Sequence, residues 1–192
     1  AAAKVEHDYE TVDDKQLIEL MKAKASEVLI VDVRDPDEEE GDYQGGHVKG
    51  SINVPSFDVV DKLPELITAN NVKEKKTVVF LCMAGKGNSP QSYRSYNKAR
   101  SLLTKGDAKK DDSKDDEFTK IVHSIKLDAN SLELLKQQKV YVLKGGFHTF
   151  LNYHKDDKDL VEGFDEKMWD LTQLQGDDDE GLALYHKNYD EQ

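Results

Sequence analysis

The sequence predicts an α/β fold built on a parallel sheet, and three observations predict it. Nearly continuous apolar runs recur at 28–34 (VLIVDVR), 77–82 (TVVFLC) and 140–144 (VYVLK), as expected of strands covered on both faces. Segments with helical spacing lie between them, the alternation of a βαβ architecture. A lone cysteine, Cys82, ends the second run and opens into a glycine-containing loop, and open α/β sheets place their ligands at such strand ends.

Taken in order, 13–24 (DDKQLIELMKAK) is a helix with Leu17, Ile18, Leu20 and Met21 on one face. The strand at 28–34 carries Asp32 and Arg34 at its end, and a short strand follows at 51–55 (SINVP). After the strand at 77–82, a helix over 89–103 opens with Ser89 as N-cap and Pro90 at the first helical position. Residues 104–117 (TKGDAKKDDSKDDE) hold six acids and four lysines. With almost nothing to bury, this stretch is expected to be a solvated, mobile insertion. A helix over 130–138 is capped by Asn130 or Ser131, and the strand at 140–144 follows it. The tail is acidic from Gly176, then carries Leu182, Leu184, Tyr185 and Tyr189, a segment expected to dock as a helix on this domain or on a partner.

Composition narrows the function. The 192 residues carry a formal charge of −12, and 34% of them are charged. That balance argues against nucleic acid or anionic lipid as the main partner. No apolar run approaches the roughly 18 residues of a membrane span. A single cysteine excludes an internal disulfide framework and any multi-thiolate metal site, and no metal or cofactor is expected. The first residues, AAAK, show no signal-peptide pattern, although a removed presequence would leave no trace. An intracellular, cytoplasmic protein is expected, with a mitochondrial location after presequence removal left open.

The segment Cys82-Met83-Ala84-Gly85-Lys86-Gly87-Asn88-Ser89 carries the chemistry. Gly85 and Gly87 permit positive φ, which lets successive backbone N–H groups turn inward as an anion nest. The following helix N-terminus adds partial positive charge. Both favour thiolate over thiol, making Cys82 a candidate nucleophile. The competing reading is a buried, inert cysteine.

Here the sequence resembles the rhodanese-like family. Leu29-Ile30-Val31-Asp32-Val33-Arg34 and the run from Asp42-Tyr43-Gln44-Gly45-Gly46-His47-Val48 to Asn53-Val54-Pro55 look like the family's first signature. Leu143-Lys144-Gly145-Gly146-Phe147 looks like its C-terminal one. The resemblance implies a single domain over 5–155 with a five-stranded parallel sheet, flanking helices, and Cys82 after the fourth strand. A strand near 9–12 completes the five. A charged insertion at 104–120 and an acidic C-terminal extension at 156–192 are the additions. A small sulfur donor or oxyanion is the expected partner, with a protein partner reached through the extension.

The resemblance offers three functions. Sulfurtransferases of the family form a persulfide on cysteine, cradled by a six-residue loop. Cell-division-cycle phosphatases and eukaryotic arsenate reductases use seven residues, His-Cys, five residues, Arg, then Gly-Pro. Cys82 to Asn88 has the seven-residue length, but Leu81 stands for the His, Asn88 for the Arg and Ser89 for the Gly. A phosphoryl or arsenate dianion wants the bidentate fork of Arg, which Asn lacks; Lys86 offers a point charge. A non-catalytic module in a larger assembly is the third reading. Asp32 and Arg34 are expected to brace the active loop by pairing, and His47 to hold a turn. His148 is a candidate pocket residue. Tyr93 and Tyr96 are expected to pack, and His123, His154 and His186 show no metal-ligand spacing with Cys82.

Overall fold

The computed structural model describes residues 8–68, 74–105, 116–173 and 181–189. The chain begins with β1 (Thr11–Val12) and α1 (Asp14–Lys24), and Asp13 and Gln16 close a reciprocal capping box at the helix start. β2 (Val28–Asp32), β3 (His47–Val48) and β4 (Ile52–Asn53) follow, then α2 (Leu63–Thr68) and β5 (Thr77–Leu81). Then come α3 (Asn88–Thr104), α4 (Glu117–His123), α5 (Ala129–Gln137), β6 (Lys139–Leu143) and α6 (Gly146–His154).

Five strands form one parallel sheet in the order β1-β6-β5-β2-β4. The apolar runs behave as strands buried on both faces. Leu29, Val31, Val78, Phe80 and Val140 face α2, α3, α4 and α5, where Leu63, Tyr96, Val122 and Leu135 close the layer. Val28, Ile30, Val79, Leu81 and Leu143 face α1 and α6, against Leu17, Phe147, Phe150 and Leu151. Cys82 belongs to the first layer and Met83 to the second.

Several expectations need correction. The expected strand at 51–55 is ordered as strand only over Ile52–Asn53. Asp128, not Asn130 or Ser131, caps α5, its carboxylate accepting from the Ser131 N–H. Ser89 does not cap α3, which starts one residue earlier with Gly87 at the N-cap. Pro90 then lies in the first turn, where its missing N–H costs nothing. Helix occupies both ends of 104–120, because α3 runs to Thr104 and Asp116 caps α4. Residues 106–115, the centre of the expected insertion, lie outside the described residues.

The described part of the tail, residues 181–189, is not the expected helix. β7 (Val161–Glu162) pairs antiparallel with β3, and β8 (Trp169–Gln173) pairs with β9 (Leu182–His186) in an antiparallel hairpin. Trp169, Ala183 and His186 are buried, and Leu184, Tyr185 and Tyr189 pack on the α6 side of the core. Polar bonds fix the hairpin: Trp169 Nε1–H donates to the Gly45 carbonyl at 2.9 Å, and the Leu184 N–H to Asn152 Oδ1 at 2.9 Å. Asn188 Nδ2 donates to the carbonyls of Glu39 and Gly41 at 2.9 and 3.0 Å. No helix of the described residues is long and apolar enough to cross a membrane.

Candidate active site

Cys82 follows the last residue of β5 at the carboxyl end of the sheet. The adjacent strand ends beside it, since the Val33 N–H donates to the Leu81 carbonyl at 2.8 Å. Two hydrogen-bonding groups reach the sulfur. The Gly85 N–H lies 3.3 Å from Sγ, and Ser89 Oγ lies 3.0 Å from it. Ser89 is fully buried on the first turn of α3, so its hydroxyl is held against the thiol. In the thiolate form that hydroxyl donates and stabilises the anion.

Glycines set the loop. Gly85 has φ +74°, and a Cβ there would sit 2.7 Å from the Leu143 carbonyl oxygen. Gly146 has φ +65°, and a Cβ would come 2.3 Å from the Met83 carbonyl oxygen. Only glycine fits two backbones so close together. Their approach lets the Phe147 N–H donate to the Cys82 carbonyl at 2.8 Å and the His148 N–H to the Met83 carbonyl at 3.1 Å. The start of α6 thus clamps the cysteine. Gly87 departs from expectation, with φ −120° and open space around its Cα.

Asp32 and Arg34 form a buried ion pair, 0% and 1% exposed, with Nη2 to Oδ2 at 2.7 Å and Nε to Oδ1 at 3.0 Å. Nη1 also donates to the Asp42 carbonyl and Nη2 to the Gly46 carbonyl, and Arg34 Cζ lies 4.1 Å from the Phe147 ring centre. The hydrogen bonds of the pair therefore brace the 42–46 turn, its guanidinium covers Phe147, and the Cys82 loop is reached through the Phe147 N–H. His47, on β3, bonds the Glu162 side chain at 3.1 Å and stacks on Tyr43.

Cys82 is 6% exposed and lies at the wall of a cleft of about 1120 Å³. Met83, Ala84, Lys86, Gly87 and Asn88 line it from the loop, and Ser56 and Phe57 from the turn after β4. Gly85 and Ser89 serve the site from beneath, through the sulfur. The hairpin contributes Asp170, Thr172, Gln173 and the run from Tyr185 to Tyr189. Asp35, Glu40 and Asp42 complete the wall beside β2. Burial pushes the Asp42 carboxyl above its usual range, against the pull of Arg34. Burial holds His186 below its ordinary value, and Arg34 adds to the effect.

The remaining candidates sit elsewhere. His148 is buried and stacked on Tyr185 with centroids 4.4 Å apart, so Tyr185 stands between it and the cleft. Tyr93 accepts from the Glu10 N–H, and Tyr96 packs on Phe80 and donates to Gln138. His154 bonds Asp14, and His123 is exposed. Among the described residues no group of His, Cys, Asp and Glu is placed to hold a metal ion. The hairpin residues were missed as part of the site. Their available signal was period-two spacing, Trp169-x-Leu171 and Leu182-x-Leu184.

Comparison with known proteins agrees with this fold. The fold is similar to a yeast protein tyrosine phosphatase of the rhodanese family, with TM-score 0.56 and 17% identity over 84% of this chain and 97% of that one. It is also similar to the As-Sb reductase from Leishmania major, with TM-score 0.53 and 20% identity over 91% and 92% of the two chains. A curated relative, an HTH-type transcriptional regulator of Mycobacterium tuberculosis, is 49% identical over 47 residues. That match spans 24% of this chain and only 19% of the regulator. The family model for the rhodanese-like domain matches residues 13–153, which include every strand of the parallel sheet except β1, the Cys82 loop and the glycine clamp, and the chain belongs to that family.

Proposed function

We propose that this protein is a sulfurtransferase that carries sulfane sulfur as a persulfide on Cys82. The observation that supports it best is a sulfur held by Ser89 Oγ and the Gly85 N–H beside a cleft whose described lining includes no arginine. Two donors on Sγ suit a thiolate that must form, leave and re-form. The thiolate attacks the outer sulfur of a thiosulfate-type donor, and the new S–S bond forms as the donor's S–S bond breaks. The electron pair leaves on sulfite. An acceptor thiolate then attacks the outer sulfur of the persulfide, and Cys82 departs as thiolate, its charge again met by Ser89 and Gly85.

Phosphoryl or arsenate chemistry is the second reading, favoured by the seven-residue span and by Lys86 and Lys187 in the cleft. Neutral Asn88 weighs against it, because one lost charge-assisted contact to a transferring group costs on the order of 3 kcal/mol, or about a hundredfold in rate. The test measures sulfite release from thiosulfate beside aryl-phosphate hydrolysis. Sulfite release abolished by Cys82→Ser, with negligible hydrolysis until Asn88→Arg raises it, is the expected result. Wild-type hydrolysis abolished by Cys82→Ser, without sulfite release, overturns the proposal.

A further inference from the structure

The Cys82 loop offers an anionic donor one cation, the exposed Lys86, because Asn88 is neutral. Arg34 cannot substitute, since its guanidinium is committed to Asp32 and to the carbonyls of Asp42 and Gly46. The described cleft nevertheless holds a second lysine. Lys187 lies directly after β9, beyond the family-matched 13–153, and lines the same cleft as Cys82.

Its backbone is fixed. The Lys187 N–H donates to the Met168 carbonyl at 2.9 Å, and the Asn188 N–H donates to His186 Nδ1 at 3.1 Å. The side chain of Asn188 ties the same turn to Glu39 and Gly41, and Trp169 anchors the paired strand to Gly45. An ammonium on so constrained a turn has a defined origin, unlike one on a loose tail. The cleft also carries Asp35, Glu40, Asp42 and Asp170. Against those carboxylates a sulfonate or similar oxyanion has few cations to meet, so each lysine weighs heavily in its binding.

We propose that Lys187, delivered by the C-terminal hairpin, is an anion-selecting residue of the Cys82 site, adding a second positive charge to the one that Lys86 supplies from the loop. Lys187 and Lys86 hold the oxygens of an anionic donor while its sulfur faces Sγ. The hairpin is then a specificity element of the active site. This inference rests on a nucleophilic Cys82, as does the proposed function, but its test does not require sulfur transfer.

The probes are iodoacetate and iodoacetamide, which alkylate the same thiol and differ in charge. Their rate ratio at Cys82 reads anion preference with nucleophilicity divided out. Lys187→Gln is expected to lower the iodoacetate-to-iodoacetamide ratio about fivefold and to raise the KM for thiosulfate about tenfold. The iodoacetamide rate should hold steady, showing that the hairpin remains docked, and Lys187→Arg should keep the wild-type ratio. A Lys187→Gln ratio equal to wild type overturns the proposal, as does a loss reproduced in full by Lys86→Gln with none from Lys187→Gln. Wild type that shows the ratio effect but forms no persulfide overturns the sulfurtransferase reading and leaves the anion site standing.

Discussion

Ser89 illustrates how a single side chain changes the chemistry of its neighbour. As a capping residue it would have satisfied a backbone N–H; on the first turn of α3 it sits 3.0 Å from Cys82 Sγ instead. A hydrogen bond to a charged group is worth about 1.5–3 kcal/mol. Ser89→Ala is therefore expected to slow iodoacetamide alkylation of Cys82 at neutral pH by at least about tenfold. The two rates should converge at strongly alkaline pH, where both thiols are ionised. Equal rates at neutral pH would show that the hydroxyl does not support the thiolate. Arg34 acts on stability rather than chemistry. Arg34→Ala leaves Asp32 buried and unpaired, which typically costs about 3–5 kcal/mol. Urea denaturation should show a loss of that size, and a loss below about 1 kcal/mol would mean the pair is not the brace described. The motif Asp32-x-Arg34 was legible in the sequence as a pair, but its partners at 42–46 were not, because carbonyl acceptors carry no sequence signature.

Among the elements, the strands were legible and the hairpin was not. β2, β5 and β6 announce themselves because burial on both faces requires continuous apolar runs. β8 and β9 are half-exposed and lie around an acidic stretch, and the alternation Trp169-Asp170-Leu171-Thr172 ends at Gln173, too short to stand out. Docking supplies what the local pattern lacks, with Trp169 against Phe147 and His186 beneath it. That packing makes the hairpin sensitive to acid. His186 is held below its ordinary value of 6.5 by burial, so the docked state favours the neutral imidazole. A depressed value contributes stability that is full above about 6.5 and is lost as the pH falls toward the lower docked value. Trp169 is the single tryptophan and lies on the hairpin, so its fluorescence reports docking directly. Acidification below 6.5 should red-shift its emission reversibly before global unfolding, and His186→Phe should blunt that shift. Emission that moves only with global unfolding would show that His186 does not govern the hairpin.

For the whole molecule, four of the five parallel strands, the order of motifs and the position of Cys82 follow from features any reader of the chain can locate; the two-residue β1 was expected only through the family resemblance. The cleft does not. It is assembled from the β2–β3 connection, the Cys82 loop, the turn after β4 and the hairpin, segments up to 154 positions apart in the chain (Asp35 to Tyr189). Such closure depends on tertiary packing and not on local pattern, which is why the site's second wall was invisible in the sequence. The central claim is that this assembled cleft serves sulfur transfer at Cys82. Intact-mass measurement after a short incubation with thiosulfate and removal of excess donor tests it most directly. The expected result is an adduct of about 32 Da, one sulfur atom, that maps to Cys82 and discharges on addition of a thiol acceptor. An unmodified mass under those conditions, in protein whose Cys82 still alkylates readily, would contradict it.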